Sequence, residues 1–424
     1  MLQFASTKIV TKAKPIETLA ESAFLHLPLS AYHGHFAHPV VQAGDMVLKY
    51  QLIAKAGDPF SANVHAPVSG RVVGVQKFPD CGGGMTSMLV LQNDFAGACI
   101  DFPAIPSDDP PADTILDLLS AAGVIGAGGA QFPTALKYRA AGQHIQAFII
   151  NGTECEPYLT ADYVLMRERT ASLFEGIRLV NTFLQAKEVV IVIEDHNHEL
   201  LTVFAPYLAQ ARYAGIRMQV VMEEYPQGSE RQIVFAVTGR EMAPPLHPSR
   251  EGFVVSNAGT VVAAYHALAE RLPVVNRIVT VSGDGLQQAG NYEVPIGTPV
   301  GYLLNQLGIT PEHYTIVLGG PMMGRHVTDW ASPVTKGSGG ILVLPRDPVK
   351  RENCIGCSRC VEACPMRLMP LKYDEGWRRS NLAMLKNYQL PVCIECGACE
   401  YVCPSNVPLV ASIKAGKLLL RKEG

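Results

Sequence analysis

Eight of the eleven cysteines in this 424-residue chain crowd between positions 354 and 403. The first run reads Cys354-Ile-Gly-Cys357-Ser-Arg-Cys360-Val-Glu-Ala-Cys364-Pro365, and the second Cys393-Ile-Glu-Cys396-Gly-Ala-Cys399-Glu-Tyr-Val-Cys403-Pro404. Crowding of this kind is unlike the scattered cysteine framework of a small disulfide-stapled domain. The N-terminus, MLQFASTKIVTKAKP, is charged and has no long apolar stretch, so an export signal is not expected. In a reducing compartment such thiols are more often metal ligands than disulfide partners.

Both runs follow C-x2-C-x2-C-x3-C-P, the pattern of bacterial two-cluster ferredoxins, in which the fourth cysteine serves the other cluster. On that pattern one [4Fe–4S] cluster is assigned to Cys354, Cys357, Cys360 and Cys403, and a second to Cys393, Cys396, Cys399 and Cys364. Three thiolates on a tight loop can hold three corners of a cubane, with backbone N–H groups turned toward sulfur; the fourth must come from elsewhere. A pair of zinc sites would also use four thiolates each, but this doubled run is rarely a zinc framework. Residues 366–392 between the runs are long enough for a helix and its return. Clusters move single electrons, so another part of the chain, or a partner, must feed or drain them.

The length implies two to four domains. A net charge of −3 with no basic tract argues against nucleic-acid binding. No stretch approaches the roughly 18–20 apolar residues of a spanning helix. KEVVIVIED (187–195) reads instead as a short buried strand. Any work at a membrane would therefore require docking to a partner.

From about 115 to 265, helix-like and strand-like segments alternate, as in a layered α/β domain. Polar residues collect at the turns: Asn151, Glu154 and Glu156, then Tyr225, Gly228 and Glu230, then Asn257. Open α/β sheets place ligands at such turns. The glycine loop GVIGAGGAQFPTALKY (123–138) nearly matches G-x-G-x-x-G, but Gln131 stands where the last glycine would be. Gly128 and Gly129 could bring N–H groups to a phosphate at a helix start, and Lys137 could neutralise it; two glycines would equally serve a plain helix cap.

The segment GAGGAQFPTALKY resembles the flavin loop of the NADH-oxidising flavoprotein subunit of respiratory complex I. It resembles more closely that of the RnfC family of Rnf ion-translocating complexes. NGTECEPYLTADYVLMRE (151–168), YPQGSERQ (225–232) and SNAGTVVAAYHAL (256–268) resemble further RnfC segments in the same order. The resemblance implies non-covalent FMN, with NAD(H) as a substrate arriving over the flavin. It would put Gly126, Gly128, Gly129 and Lys137 at the FMN phosphate and ribityl chain, and Asn151 and Asn257 on the flavin. Tyr225 would join the cofactor-binding set, Phe132 would stack on NAD(H), and Glu154, Glu156 and Glu230 would be the catalytic acids around the isoalloxazine and nicotinamide. Ala127 replaces an arginine of the complex I loop, which would make Lys137 more important. A flavin also fits the chemistry without the family, because it converts the two-electron currency of nicotinamide into the single electrons of clusters.

The fold expected is multidomain α/β. It comprises an N-terminal barrel-sandwich hybrid (1–110), a Rossmann-like FMN/NAD(H) domain (111–270), a β-grasp domain of SLBB type (271–345) and a C-terminal helical ferredoxin-like domain with two [4Fe–4S] clusters (346–424). The sandwich is expected to be a scaffold without a prosthetic group, and the β-grasp unit a spacer. His33, His35 and His38 are expected as a histidine cluster without a metal; Cys81 and Cys99 read as structural and Cys155 as packing. The resemblance implies an NAD(H):acceptor oxidoreductase subunit, peripheral on the cytoplasmic face of the cell membrane. Its partners would be other Rnf-type subunits, the ferredoxin-like RnfB and the membrane subunits. The alternatives are a soluble relative feeding another reductase, or a wiring module that has lost its flavin.

Overall fold

The computed structural model describes residues 1–4, 7–30, 35–79, 84–102, 109–242, 247–309, 313–346 and 350–422. His33 and Cys81 lie outside the described residues. His35 meets Asp58 at 2.8 Å near the surface, and Cys99 is exposed, not packed.

The central element is a four-stranded parallel sheet in the order Ile216–Val221, Glu188–Glu194, Ala147–Gly152, Phe253–Asn257. Successive strand residues face opposite sides. Phe148, Ile150, Ile191, Ile193 and Val254 enter one core with the helices Thr170–Leu184 and Ala258–Ala269. Ile149, Val190, Val192 and Val255 enter another with Ile233 and Val234 of the helix Glu230–Thr238. Burial on both faces explains why these strands read as unbroken apolar runs. From Ala147–Gly152 the chain crosses to its neighbour on one side, and it later returns to the other side as Phe253–Asn257. Asn151 and Asn257 are register partners at that reversal, where such sheets open a crevice beyond their strand ends.

A four-stranded antiparallel sheet (Phe24–Pro28, Met85–Asn93, Gly70–Pro79, Met46–Val47) and a three-stranded one (Ala37–Pro39, Leu52–Ala56, Val64–His65) enclose Leu25, Leu27, Ile53, Val72 and Leu91. The strands Asn276–Ser282, Gly290–Pro295, Tyr314–Leu318, Arg325–His326 and Gly340–Pro345 form the body of a six-stranded sheet, crossed by the helix Val300–Leu307. Its buried face, Val300, Leu303, Leu304 and Leu307, has the i, i+3, i+4, i+7 spacing of one helical stripe. The C-terminal module is built of short helices, the longest Leu409–Lys422, around Tyr373, Leu385, Leu390 and Ile413.

Residues 1–4 and 7–18 reach out of the sandwich unit in which the 1–110 division places them. Leu2 exchanges backbone hydrogen bonds with Tyr225 at 3.0 and 2.8 Å, and Ile16–Thr18 adds a parallel strand to Gly290–Pro295. The reason lies in Lys8 and Lys12, which find their partners in the α/β domain, and in Lys14, which donates to the carbonyl of Ala289 in the β-grasp domain. Lys12 meets Glu199 at 2.7 Å. Lys8, 4% exposed, lies 3.6 Å from Glu194 and 3.4 Å from Glu223 and donates to the carbonyl of Glu154. Burial works against its ammonium, but Glu194, Glu154 and Glu223 outweigh it and hold its pKa above the ordinary value. A buried tie of Thr11, Thr160, Thr280 and Asn291 side chains joins the arm, the α/β domain and the β-grasp sheet.

Lys8→Met leaves the fully buried Glu194 carboxylate without its cation and is expected to cost about 3 kcal/mol, read as a lower urea midpoint. Burial already raises the pKa of Glu194, so the folded state favours its protonated form. That contribution is retained at low pH and lost as pH rises, so the variant's deficit should be smaller at about pH 5 than at about pH 8. An equal deficit at both pH values would contradict this account.

Candidate functional site

The glycine loop lies at the reversal crevice. Gly126 donates to the carbonyl of Phe132 at 2.9 Å, closing the loop on itself. Gly128, Gly129 and Ala130 are exposed. Gly129 takes a left-handed φ of +98°, and a Cβ there would meet only open space. A side chain on Gly128 would come within 3.7 Å of Asn257, so loop and strand end face one another across a small gap. Open backbone at a strand-end crevice fits the phosphate and ribityl end of a flavin nucleotide.

Gln131 has φ +55° and rests against Gly337 of the β-grasp domain, where a Cβ would stand 2.5 Å from its side chain. The missing last glycine is therefore filled by a contact between domains. Phe132 lies edge-on to Phe60 of the sandwich, ring centroids 6.1 Å apart. Lys137 is paired with Glu230 and also donates to the carbonyl of Val255. Lys137 and Glu230, 93 apart in sequence, form one charged pair beside the crevice.

Asn151 and Asn257 sit side by side, but their amides already hold protein. Asn257 caps the helix Ala258–Ala269 by accepting from Gly259 N–H at 2.9 Å, and it donates to Asp162. Asn151 donates to the carbonyl of Gly228 at 2.9 Å and accepts from the N–H and hydroxyl of Thr153. Each amide nitrogen keeps a second hydrogen beyond the one named. Both residues shape the crevice walls.

The three acids have different surroundings. The carboxylate of Glu154 accepts from the N–H groups of Asp162 and Tyr163 at 3.2 and 3.3 Å. Burial first, then the neighbouring Asp162, push its pKa up to about 8. Glu156 points away from the sheet and accepts from Met322 and Met323 N–H at 3.0 and 2.9 Å. Burial pushes it up to about 7. It therefore joins the α/β domain to the β-grasp domain, a position sequence pattern did not indicate. Glu230 begins the helix Glu230–Thr238 opposite Lys137.

Tyr225, 1% exposed, donates its hydroxyl to the carbonyl of Cys396 at 2.5 Å. Around it pack Phe4, Met322, Ile394, Cys155 and Cys396. It belongs to the junction with the cysteine module, not to the glycine loop. Cys155 packs there too, its sulfur accepting from Gly228 N–H at 3.4 Å.

The cysteines gather around two pockets. One is lined by Cys354, Cys357, Cys360 and Cys403, the other by Cys393, Cys396, Cys399 and Cys364. The fourth cysteine of each run thus lies at the pocket of the other run. Among the described residues no three or more His, Cys, Asp or Glu side chains close around a single-ion site. Four thiols around an open pocket suit a larger polyatomic group better than one zinc ion. Leu368 N–H donates to Cys364, Glu395 to Cys393 and Val407 to Cys403, at 3.3, 3.4 and 3.4 Å. These are the backbone donors expected around cluster sulfurs. The pockets differ in exposure: Cys354, Cys357 and Ile355 are exposed, whereas Cys396 and Cys399 are buried.

Sequence reasoning missed Arg277, Asp162 and Lys336. Arg277 bonds the carbonyls of Ala127 and Ser338, both at 2.8 Å. Lys336 holds the carbonyls of Gly123 and Asn63 at 2.7 and 2.8 Å. The targets of Arg277 and Lys336 are far away in sequence, and Asp162, inside the 151–168 segment, meets Asn257, 95 residues on, so no local signal marked these roles.

Four domain-family models match in succession: the RnfC barrel sandwich hybrid domain over 2–96, the Nuo51 FMN-binding domain over 119–266, the SLBB domain over 278–326 and a 4Fe-4S dicluster domain over 353–407. The C component of the ion-translocating oxidoreductase complex of Rhodobacter capsulatus is 37% identical over 418 residues, covering 97% of this chain and 80% of the relative. The C component of the proton-translocating ferredoxin:NAD(+) oxidoreductase complex of Clostridium ljungdahlii is 34% identical over 375 residues, covering 86% and 80%. In fold, the chain is similar to an NAD+-reducing [NiFe]-hydrogenase in the H2-reduced state. The TM-score is 0.52 at 21% identity, covering 74% of this chain and 61% of that one.

Fold and site together define an electron-transfer oxidoreductase subunit with an FMN-binding domain and a two-cluster iron–sulfur domain. The chain belongs to the RnfC family of ion-translocating oxidoreductase complexes. Among the described residues no helix is long and apolar enough to cross a membrane.

Crossed ligation has a direct chemical test. Iron content of Cys354→Ser/Cys403→Ser should match that of either single variant, near half the wild-type value. Cys354→Ser/Cys364→Ser should lose nearly all iron. The reverse pattern would mean that each run holds its own cluster.

Proposed function

We propose that this chain passes electrons between NAD(H) and a protein partner, as the peripheral NAD(H)-side subunit of an Rnf-type ferredoxin:NAD+ oxidoreductase coupled to ion translocation. FMN, when bound, exchanges a hydride with NAD(H) and single electrons with the clusters. The observation that carries the reading is the hydrogen bond from Tyr225 to Cys396. It joins the flavin crevice to one cysteine pocket through a single short loop, since Gly228 of the same loop holds Asn151.

In this reading Gly126, Gly128, Gly129 and Lys137 hold the phosphate and ribityl end of FMN. Asn151 and Asn257 set the walls beside the ring, Phe132 offers a face to NAD(H), and Glu154 and Glu230 supply the acidic surroundings. Tyr225 and Glu156 act by fixing the crevice to the domains that adjoin it. Cys364, Cys393, Cys396 and Cys399 hold the near cluster; Cys354, Cys357, Cys360 and Cys403 hold the far one. The exposed Cys354–Cys357 loop supports an outward role for the far cluster. There it would face the ferredoxin-like RnfB or the membrane subunits, with this chain peripheral on the cytoplasmic side.

The test is anaerobic rapid mixing of the FMN- and iron-loaded chain with NADH. Cys403→Ser should still show NADH-dependent reduction of its remaining cluster. Cys364→Ser should reduce its flavin normally, but its remaining cluster should be reduced at least about tenfold more slowly, because the intervening carrier is gone. Equal cluster reduction in both variants would refute the near-to-far order, and a wild-type chain that took up no FMN would refute the whole reading.

A further inference from the structure

The glycine loop is held from outside its own domain. Arg277, on the β-grasp strand Asn276–Ser282, donates from Nη2 to the carbonyl of Ala127 and from Nε to that of Ser338, each at 2.8 Å. Burial works against its charge, and the nearby acids Asp162 and Glu154 oppose that effect. On the other side of the same residue, the N–H of Ala127 donates to the buried hydroxyl of Thr260 at 2.9 Å. Ala127 is buried, while Gly128 is exposed.

This arrangement fixes a direction. The only cis peptide among the described residues is Tyr225-Pro226, so the bond between Ala127 and Gly128 is trans. In a planar trans peptide the carbonyl and the following N–H point opposite ways. With the Ala127 carbonyl drawn inward by Arg277, the Gly128 N–H is turned outward, into the open side of the loop. An outward backbone N–H in a glycine-rich loop is an anion donor. This chain lacks an arginine within the loop itself, having Ala127 there.

We propose that Arg277 is a positioning residue for flavin binding: from the β-grasp domain it orients the Gly128 amide toward the phosphate of FMN. The β-grasp domain is then part of the cofactor site, not only a spacer. Because Arg277 commits Nη2 and Nε to the carbonyls of Ala127 and Ser338, the effect runs through peptide orientation and not through direct attraction of phosphate. The inference rests on the reading that the glycine loop meets the phosphate end of FMN.

The experiment compares FMN with riboflavin, which lacks the phosphate. Flavin-free full-length chain with its clusters intact is titrated with each ligand, following flavin fluorescence. Wild type should bind FMN more tightly than riboflavin. Arg277→Met should weaken FMN by about tenfold, roughly the worth of one misaligned hydrogen bond, and leave riboflavin nearly unchanged. Arg277→Lys, keeping a donor, should fall between. Thr260→Val, which frees the other side of the same residue, should show the same selective loss and carries the test if Arg277→Met does not fold. An unchanged FMN-to-riboflavin ratio in these variants, including equal weakening of both ligands, would overturn the inference. A wild type without preference for FMN would overturn the phosphate reading on which it rests.

Discussion

The buried ammonium of Lys8 ties the N-terminal arm to the α/β domain. It lies among Glu194, Glu223 and the carbonyl of Glu154, so it pins the N-terminal arm to the ends of three adjacent strands of the parallel sheet. Of these strands, Ala147–Gly152 also borders the crevice, through Asn151. A buried carboxylate such as Glu194 is costly without a cation, because desolvation of an unpaired ion amounts to several kcal/mol. The arm therefore cannot leave without leaving a charge uncompensated inside the α/β domain. Having been fixed there, it continues as a strand of the β-grasp sheet. The relation between the two domains is thus set by the N-terminal arm as much as by their own interface.

The acids near the crevice fall into place from the same electrostatic constraint. Glu154 and Asp162 are close and buried, so both cannot comfortably be ionised. Burial and the neighbouring Asp162 push the pKa of Glu154 up to about 8. Burial raises the pKa of Asp162 as well, and the nearby Arg277, whose guanidinium keeps its proton, draws it back down. The result is a region beside the glycine loop that is nearly neutral yet rich in directed hydrogen bonds. Such a region can shape a loop for an anion without itself presenting a large charge.

Much of the architecture was readable because its signals are local. The helix Thr170–Leu184 follows apolar periodicity, the strand Glu188–Glu194 is an unbroken apolar run, and the cysteine runs announce themselves by spacing. Local signals also drew Asn151, Glu154, Tyr225 and Asn257 to notice, since strand ends carry polar residues. What they could not give was the direction of each side chain. Glu156 and Tyr225 lie in the same turns as the crevice residues, yet one faces the 322–323 backbone and the other Cys396. Which neighbour a turn residue meets depends on how domains dock, and nothing within a few positions encodes that. The docking of the N-terminal arm is illegible for the same reason: a short lysine-bearing segment beside a β-rich region reads as part of it, although its partners lie more than a hundred residues away.

Ala127 and Gln131 illustrate how a motif can change without the loop losing its shape. Taken alone, each departure removes something the loop would otherwise use, a nearby cation in one case and a flexible glycine in the other. In the folded chain both positions are met by the β-grasp domain. Arg277 reaches the carbonyl of Ala127, and Gln131 holds its left-handed backbone with its side chain against Gly337. Lys336 and Ser338, flanking Gly337, anchor the same turn to Gly123 and to Arg277. A left-handed conformation at a non-glycine residue costs on the order of 1 kcal/mol or more, which a single well-made interdomain contact can offset. The loop's conformation is therefore a property of two domains packed together. That is why its sequence looks incomplete when read by itself.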